Sequence, residues 1–164
     1  MEKKLLKVLL IIDHAPDYRE FFLRELAKYI DLTVVAQPCE PDSLVSPQNR
    51  LGYNYIEIPS KKLLGFIWQP NLTNILTQER WDIVCSDFNL RQIARLSLFL
   101  RKQKYWKKWI WRGLIFGTKN NLIVNIARKY FLKRSAENLV YSDIVVKKLK
   151  EGFGIDAISF NNSE

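Results

Sequence analysis

A single histidine, His14, stands in this chain of 164 residues, just after an apolar run, Lys7-Val8-Leu9-Leu10-Ile11-Ile12, that ends at Asp13. Imidazole is the side chain whose ordinary pKa suits proton transfer near neutral pH, so His14 is a candidate for acid–base help or for hydrogen bonding to a substrate. Its other reading is a loop residue capping backbone groups. Asp17, Tyr18 and Arg19 follow at once and offer groups that bind hydroxyls, although Asp17 also suits the N-cap of a helix. A later strand-like stretch, Trp81 to Ser86 with Ile83-Val84-Cys85 at its centre, is followed by Asp87 and Asn89. These two either bind a substrate hydroxyl or cap the next helix. Farther on come Arg112, Gly113 and Gly117, then Tyr141 and Ser142, the last placed where a helix N-cap belongs. Arg112 supplies a fixed charge whose planar fork binds phosphate or carboxylate in bidentate fashion. It keeps its proton, so it is no general base. The catalytic candidates are therefore His14 and Arg112, and the remainder are candidates for substrate binding.

Several chemistries are excluded. The residues after the first apolar run, Asp13-His14-Ala15-Pro16-Asp17, contain no glycine, which argues against a dinucleotide fingerprint, and no P-loop occurs. Cys39 and Cys85 lack metal-like spacing, and no metal site is expected. Cys85 sits in an apolar strand and reads as an inert small hydrophobe. Asp13 and Asp87 lie too far apart in the chain for the phosphoacceptor site of a receiver domain. Lys3-Lys4 before Leu5 to Ile12 resembles a secretion signal, but Lys7 interrupts it and no small-residue cleavage pattern follows, so a buried first strand is the better reading. No run approaches a membrane span. With nothing demanding an oxidising compartment, the expectation is a cytoplasmic protein.

The net charge of +9 is unevenly spread. No acid lies between Asp87 and Glu137, while 13 of the 26 Lys and Arg fall there, leaving the rest of the chain with 13 cations against 17 acids. An anionic partner is implied. The segment Arg101, Lys102, Lys104, Trp106, Lys107 and Lys108 mixes cations with aromatics, which suits an anionic membrane surface. Nucleic acid is the less favoured partner. A third reading makes the cations a solvated turn and buries Trp109 and Trp111, whose alternation in Lys108-Trp109-Ile110-Trp111 is that of a strand.

Something must position these residues, and the pattern is one of alternating strands and helices. Strands are expected at Lys7–Ile12, Leu32–Ala36, Tyr53–Ile58, Trp81–Ser86, Lys108–Ile115, Asn138–Tyr141 and Ala157–Phe160. Helices are expected from Pro16-Asp17 to about Ile30, with an apolar face of Phe22, Leu26, Tyr29 and Ile30, then at Asn71–Glu79, Leu90 to about Lys102, a basic helix ending at Ser135, and Asp143–Glu151. Pro38, Pro41 and Pro47 make the stretch between the second and third strands a loop. Such alternation means an α/β protein with a doubly wound, mainly parallel sheet and helices on both faces, and the length suits one domain. Ligands of such sheets bind at the carboxyl ends of the strands, which is where the candidates above fall.

The stretch from Trp111 onward resembles the end of the N-terminal half-domain of family 4 GT-B glycosyltransferases. A basic helix, the strand Asn138-Leu139-Val140-Tyr141, Ser142, a helix, Gly152-Phe153-Gly154-Ile155 and Asn161-Asn162-Ser163 come in that family's order. Trp111-Arg112-Gly113-Leu114-Ile115-Phe116-Gly117 is similar to its fifth-strand motif, with Arg112-Gly113 where many relatives carry a histidine. Pro16-Asp17-Tyr18-Arg19-Glu20-Phe21-Phe22 is similar to its opening loop and helix. The resemblance implies a Rossmann-like acceptor-binding domain over residues 1–160, with 161–164 starting a linker to a donor domain that this sequence does not include. It implies a retaining transfer of a sugar from a nucleotide-sugar to a glycan or lipid-linked acceptor, in surface polysaccharide or glycolipid synthesis. The nucleotide-sugar would be held mainly by the donor domain and no other cofactor is expected, so this chain alone would be inactive. The location implied is cytoplasmic, peripheral at the inner membrane face. Phe88, Phe116 and the tail after Phe160 are expected to be exposed toward the second domain. The alternative is a non-catalytic α/β binding module for an anionic ligand or nucleic acid.

Overall fold

A computed structural model describes residues 4–15, 17–38, 50–101, 104–116 and 121–160. Pro16, Cys39, Pro41, Pro47, Lys102, Gly117 and the linker at 161–164 lie outside the described residues.

The strands are β1 (Lys7–Ile11), β2 (Asp31–Ala36), β3 (Asn54–Glu57), β4 (Lys61–Leu63), β5 (Phe66–Trp68), β6 (Trp81–Asp87), β7 (Trp106–Gly113), β8 (Glu137–Val140) and β9 (Ile158–Ser159). The helices are α1 (Glu20–Ala27), α2 (Leu72–Gln78), α3 (Ile93–Leu100), α4 (Leu122–Arg134) and α5 (Asp143–Phe153), with a 3-10 turn at Asp17–Arg19. Seven strands form one sheet in the order β3-β2-β1-β6-β7-β8-β9. All of its pairings are parallel. This is a doubly wound Rossmann-like α/β sheet, and its order reverses between β1 and β6, the switch point where such sheets bind ligands.

The apolar residues of β1 and β2 fill both faces, as strands buried on both sides require. On one face Leu23 of α1 joins Val8, Leu10, Ile12, Leu32 and Val34. On the other, residues of α2, α3, α4 and α5 pack with Leu9, Ile11, Val84, Trp109 and Trp111. The tryptophans meet in a chain of ring contacts, with Phe99 5.6 Å from Trp109 and 5.2 Å from Trp111.

The elements from β7 to β9 follow the order expected. Gly113, at φ +107, ends β7 two residues before the expected Ile115. Gly154, at φ +64, ends α5, and its N–H donates to the Lys150 carbonyl at 3.0 Å while Ile155 N–H reaches Leu149 at 3.2 Å. A glycine suits both positions because side chains disfavour positive φ.

Several expectations are corrected. In α1 the buried residue is Leu23, joined by Leu26, Ala27 and Ile30, whereas Phe22 and Tyr29 are exposed. The helix is shorter than its pattern suggests, and of the expected face Leu26 and Ile30 do pack on the core while Leu23 and Ala27 take the places of Phe22 and Tyr29. Arg19, not Asp17, holds the N-cap position, because a 3-10 turn precedes the helix. Ser142 does occupy the N-cap of α5, but its side chain makes no capping bond. Trp106 is buried where it opens β7, its ring 5.1 Å from that of Trp109. Phe88 is also buried, its ring 5.4 Å from Trp111. Phe116 is half-buried and packs on Phe153, while Phe160 is exposed.

The β4–β5 hairpin was not legible in the sequence. Leu63 pairs with Phe66 and Lys61 with Trp68, and the two turn residues, Leu64 at φ +50 and Gly65 at φ +81, both have positive φ. Two such residues give the turn whose twist matches a tight hairpin.

Candidate functional site

The carboxyl ends of β1, β6, β7 and β8 bring together a set of polar side chains. At the switch point Asp13 accepts from buried Arg95 Nη2 at 2.7 Å and from Gln92 Nε2 at 2.9 Å. Arg95 has no solvent exposure; its Nε donates to Gln69 Oε1 at 3.2 Å and its Nη2 to the Ile12 carbonyl at 3.4 Å. A buried guanidinium needs such a set of acceptors, because an unpaired interior charge is strongly unfavourable. Gln69 Nε2 and Gln92 Oε1 are buried and lack a partner among the described residues.

One strand farther along, Arg112 Nε donates to Asp87 Oδ1 at 2.6 Å, and the other oxygen of Asp87 accepts the Asp13 backbone N–H at 3.1 Å. Asp87 therefore ties β1 to β7 across the switch point. Burial works against the Arg112 charge, but the Asp87 carboxylate outweighs it and holds the guanidinium above its ordinary pKa. Gly113 lies beside this pair. A Cβ added to it would sit 3.7 Å from the Tyr141 hydroxyl and 3.9 Å from Asp87 Oδ1. Tyr141 also stacks on Phe160 at 4.8 Å. Asp87, Arg112, Gly113 and Tyr141, singled out separately along the chain, thus form one group.

The loop after β1 is held from the β3 side. Arg50 Nη2 donates to the Ala15 carbonyl at 2.7 Å and its guanidinium lies 4.0 Å from the Tyr55 ring, while the Tyr53 hydroxyl donates to Glu20 at 2.6 Å. His14 lies exposed in this loop. Tyr18 is exposed in the 3-10 turn, with the Arg19 guanidinium 5.5 Å from its ring. Asp17 opens the same turn. Asn89 accepts the Arg91 backbone N–H at 3.0 Å, so it caps the approach to α3. Ser142 is half-buried next to Tyr141.

The cationic turn lies elsewhere. Arg101 and Lys104 precede β7 and are exposed, as are Lys107 and Lys108, at the amino end of the sheet. Lys107 pairs with Asp82. Arg101, Lys107, Lys108 and Arg134 line an open cleft of about 530 Å³ with Trp106 and Trp109. The C-termini of α3 and α4 end here, and cations beside helix C-termini complement the exposed carbonyls.

Arg95, Gln92 and Gln69 were missed by sequence reasoning. The signal for Arg95 was present: it is the only charge in the mostly apolar α3, Ile93-Ala94-Arg95-Leu96-Ser97-Leu98-Phe99-Leu100. It shares a helix face with Leu98, the i,i+3 spacing of a buried stripe.

Cys85, mid-strand in β6, has its thiol pushed by burial up to about 12, which fits an inert role. Among the described residues no group of three or more His, Cys, Asp or Glu is arranged to hold a metal ion. Nor is any helix among them long and apolar enough to cross a membrane. No family model and no curated protein matches this sequence.

Proposed function

We propose that this chain is the acceptor-binding half of a retaining GT-B glycosyltransferase of family 4. The observation that carries the reading is the group Asp87, Arg112, Gly113 and Tyr141 at the carboxyl ends of three adjacent strands, the first of which borders the switch point. A sugar acceptor presents hydroxyls, and this group offers a carboxylate, a phenol and the free edge of a guanidinium to bind them. Trp111 to Phe160, where the family resemblance is strongest, folds in the order of elements that the resemblance implies. Arg112 would orient an acceptor or its phosphate as a fixed charge, and exposed His14 would contact it from the β1 loop. The donor nucleotide-sugar would be bound by a second domain, so transfer needs both.

The test has two arms. Chain mixed with a separately made donor domain should transfer sugar from a nucleotide-sugar panel, with neither part active alone. Calorimetry of the chain alone should give no tight nucleotide-sugar binding, and a micromolar constant for any of them would overturn the division of labour. The cation-lined cleft at the amino end supports the rival reading, a non-catalytic binder of an anionic ligand. Amide shifts on titration with oligosaccharides decide between them: changes at Asp87, Arg112 and Gly113 favour the transferase half, and changes confined to Arg101, Lys108 and Arg134 on adding polyphosphate favour the binder.

A further inference from the structure

We propose that the β4–β5 hairpin is a membrane-inserting finger that docks the chain on anionic lipid bilayers. The hairpin follows β3 at the carboxyl end of the sheet and is anchored by its inner strand, where Ile67 N–H donates to the Arg91 carbonyl at 2.7 Å and Ile67 bridges to Gln92. Gln92 is the residue that bonds Asp13, so the anchor reaches the switch point itself. The rest of the hairpin projects outward. Leu64 is 91% exposed, Leu63 71%, Phe66 48% and Trp68 41%. Four large apolar side chains exposed within six residues are far more than scattered surface exposure explains.

Their order along the hairpin decides the occupant. Directly opposed residues share a face, so Leu63 and Phe66 form one rung and Lys61 and Trp68 form another, two residues farther from the tip. The finger is therefore apolar at its end and carries a lysine and an indole nearer its base. Lys62 is exposed as well, and no acid occurs between Glu57 and Glu79. That is the depth order of a bilayer surface: acyl chains at the tip, then the headgroup level, where Trp and Lys are favoured. Strand rise of about 3.3 Å per residue makes three rungs roughly 7–10 Å long, the depth to which interfacial segments bury their apolar side. Leu64 sharpens the point. Its φ of +50 is a conformation that glycine or asparagine adopts with less strain, yet the chain places a leucine there with no protein contact that needs one. A side chain kept in a disfavoured conformation is a pointer to function.

The hairpin supplies its own probe. Of the five tryptophans, Trp81, Trp106, Trp109 and Trp111 are buried, and only Trp68 is exposed. Vesicles of phosphatidylcholine, with and without an equal part of phosphatidylglycerol, are added to the chain, and brominated acyl chains serve as quenchers. The expected result is quenching and a blue shift of Trp68 with anionic vesicles only. Leu64→Asn/Phe66→Thr should lower vesicle affinity by at least about tenfold while leaving the fold intact, since asparagine suits the turn and threonine suits a strand. Lys61→Gln and Lys62→Gln should each cost about fivefold. No binding, binding without a Trp68 response, or unchanged binding in the Leu64/Phe66 variant would overturn the proposal. So would a loss confined to Ile123→Asn/Ile126→Asn on α4, or to Lys104→Glu/Lys108→Glu in the amino-end turn. A Trp68 shift that follows chain concentration rather than lipid would assign the hairpin to self-association and equally overturn it. No sugar enters this measurement, so it stands or falls apart from the glycosyltransferase reading.

Discussion

The two ends of the sheet treat charge in opposite ways. Around the switch point at the carboxyl end the ionic groups are mutually bound and mostly internal, Arg95 with no exposure and the Arg112 side chain only 12% exposed against Asp87, while Lys61, Lys62 and Arg91 stand exposed farther out. At the amino end they are numerous and face solvent, with Lys7 paired to Glu79, Lys107 to Asp82, and Arg101, Lys104 and Lys108 standing exposed. Apolar side chains are exposed at both ends, Leu5, Leu6, Tyr29, Leu51 and Leu100 near the amino end and Tyr18, Leu63, Leu64, Phe66 and Leu114 toward the carboxyl end, where Leu63, Leu64 and Phe66 gather on one hairpin. A hairpin that gathers exposed apolar side chains beside exposed Lys61 and Lys62 is built to meet something. An end that displays charges around helix C-termini is balancing dipoles and staying hydrated. Raw charge counts point to the amino end as the contact surface, and the apolar cluster on the hairpin points to the other.

The largest expected effect comes from breaking the internal pairing. Asp13→Ala leaves the Arg95 guanidinium buried without its carboxylate, which should cost about 3–5 kcal/mol of stability in urea denaturation. Arg95→Met should cost much less, because Asp13 is partly exposed and keeps Gln92 and water. Combining the two should recover most of the loss. A double variant as unstable as Asp13→Ala alone would show that Asp13 acts through the loop backbone rather than through Arg95.

A middle-sized effect belongs to Gly113. Space for a methyl group exists beside Tyr141, with contacts no closer than 3.7 Å, so crowding is not the obstacle. The obstacle is φ +107, and Gly113→Ala should cost on the order of 1–3 kcal/mol. Gly152→Ala, in α5 with open space around it and ordinary φ, should be neutral or slightly stabilising. Equal losses in both would mean that the backbone at the end of β7 is not what Gly113 supplies.

Where the sequence was legible, one signal dominated its neighbourhood. The continuous apolar run at β1 left only a two-sided strand possible, and Gly154 stopped α5 where a left-handed residue was needed. Asp87, Arg112, Gly113 and Tyr141 were visible as candidates because each stands at a strand's carboxyl end, but no spacing rule could show that Asp87 and Arg112 neutralise each other. Trp106 failed as an interfacial residue because composition does not show packing: its ring is buried against Trp109 in the core beneath the helices. The hairpin was missed because its three-residue strands are too short for alternation to show. Its turn also carries leucine where a turn signal of Asn-Gly would be expected.

The smallest effect should come from the amino end, and it has a definite sign. Lys107, followed by the Lys7 backbone N–H, holds the Asp82 carboxyl below its ordinary value. A carboxyl whose folded pKa is depressed adds stability above its unfolded value near 3.8, and that contribution disappears as pH falls through the folded value. Asp82→Asn should therefore lose a small contribution at pH 6 to 8, no more than a surface pair supplies, and converge with the parent as pH falls through the acid limb. Added salt should erase even that difference, since exposed pairs are screened. The Asp13 and Asp87 pairs, held inside, should keep their contribution at the same salt. If Asp82→Asn proved as costly at pH 7 as Asp13→Ala, the amino end would be bearing structural charge of its own, and the contrast between hidden and displayed ion pairs would collapse.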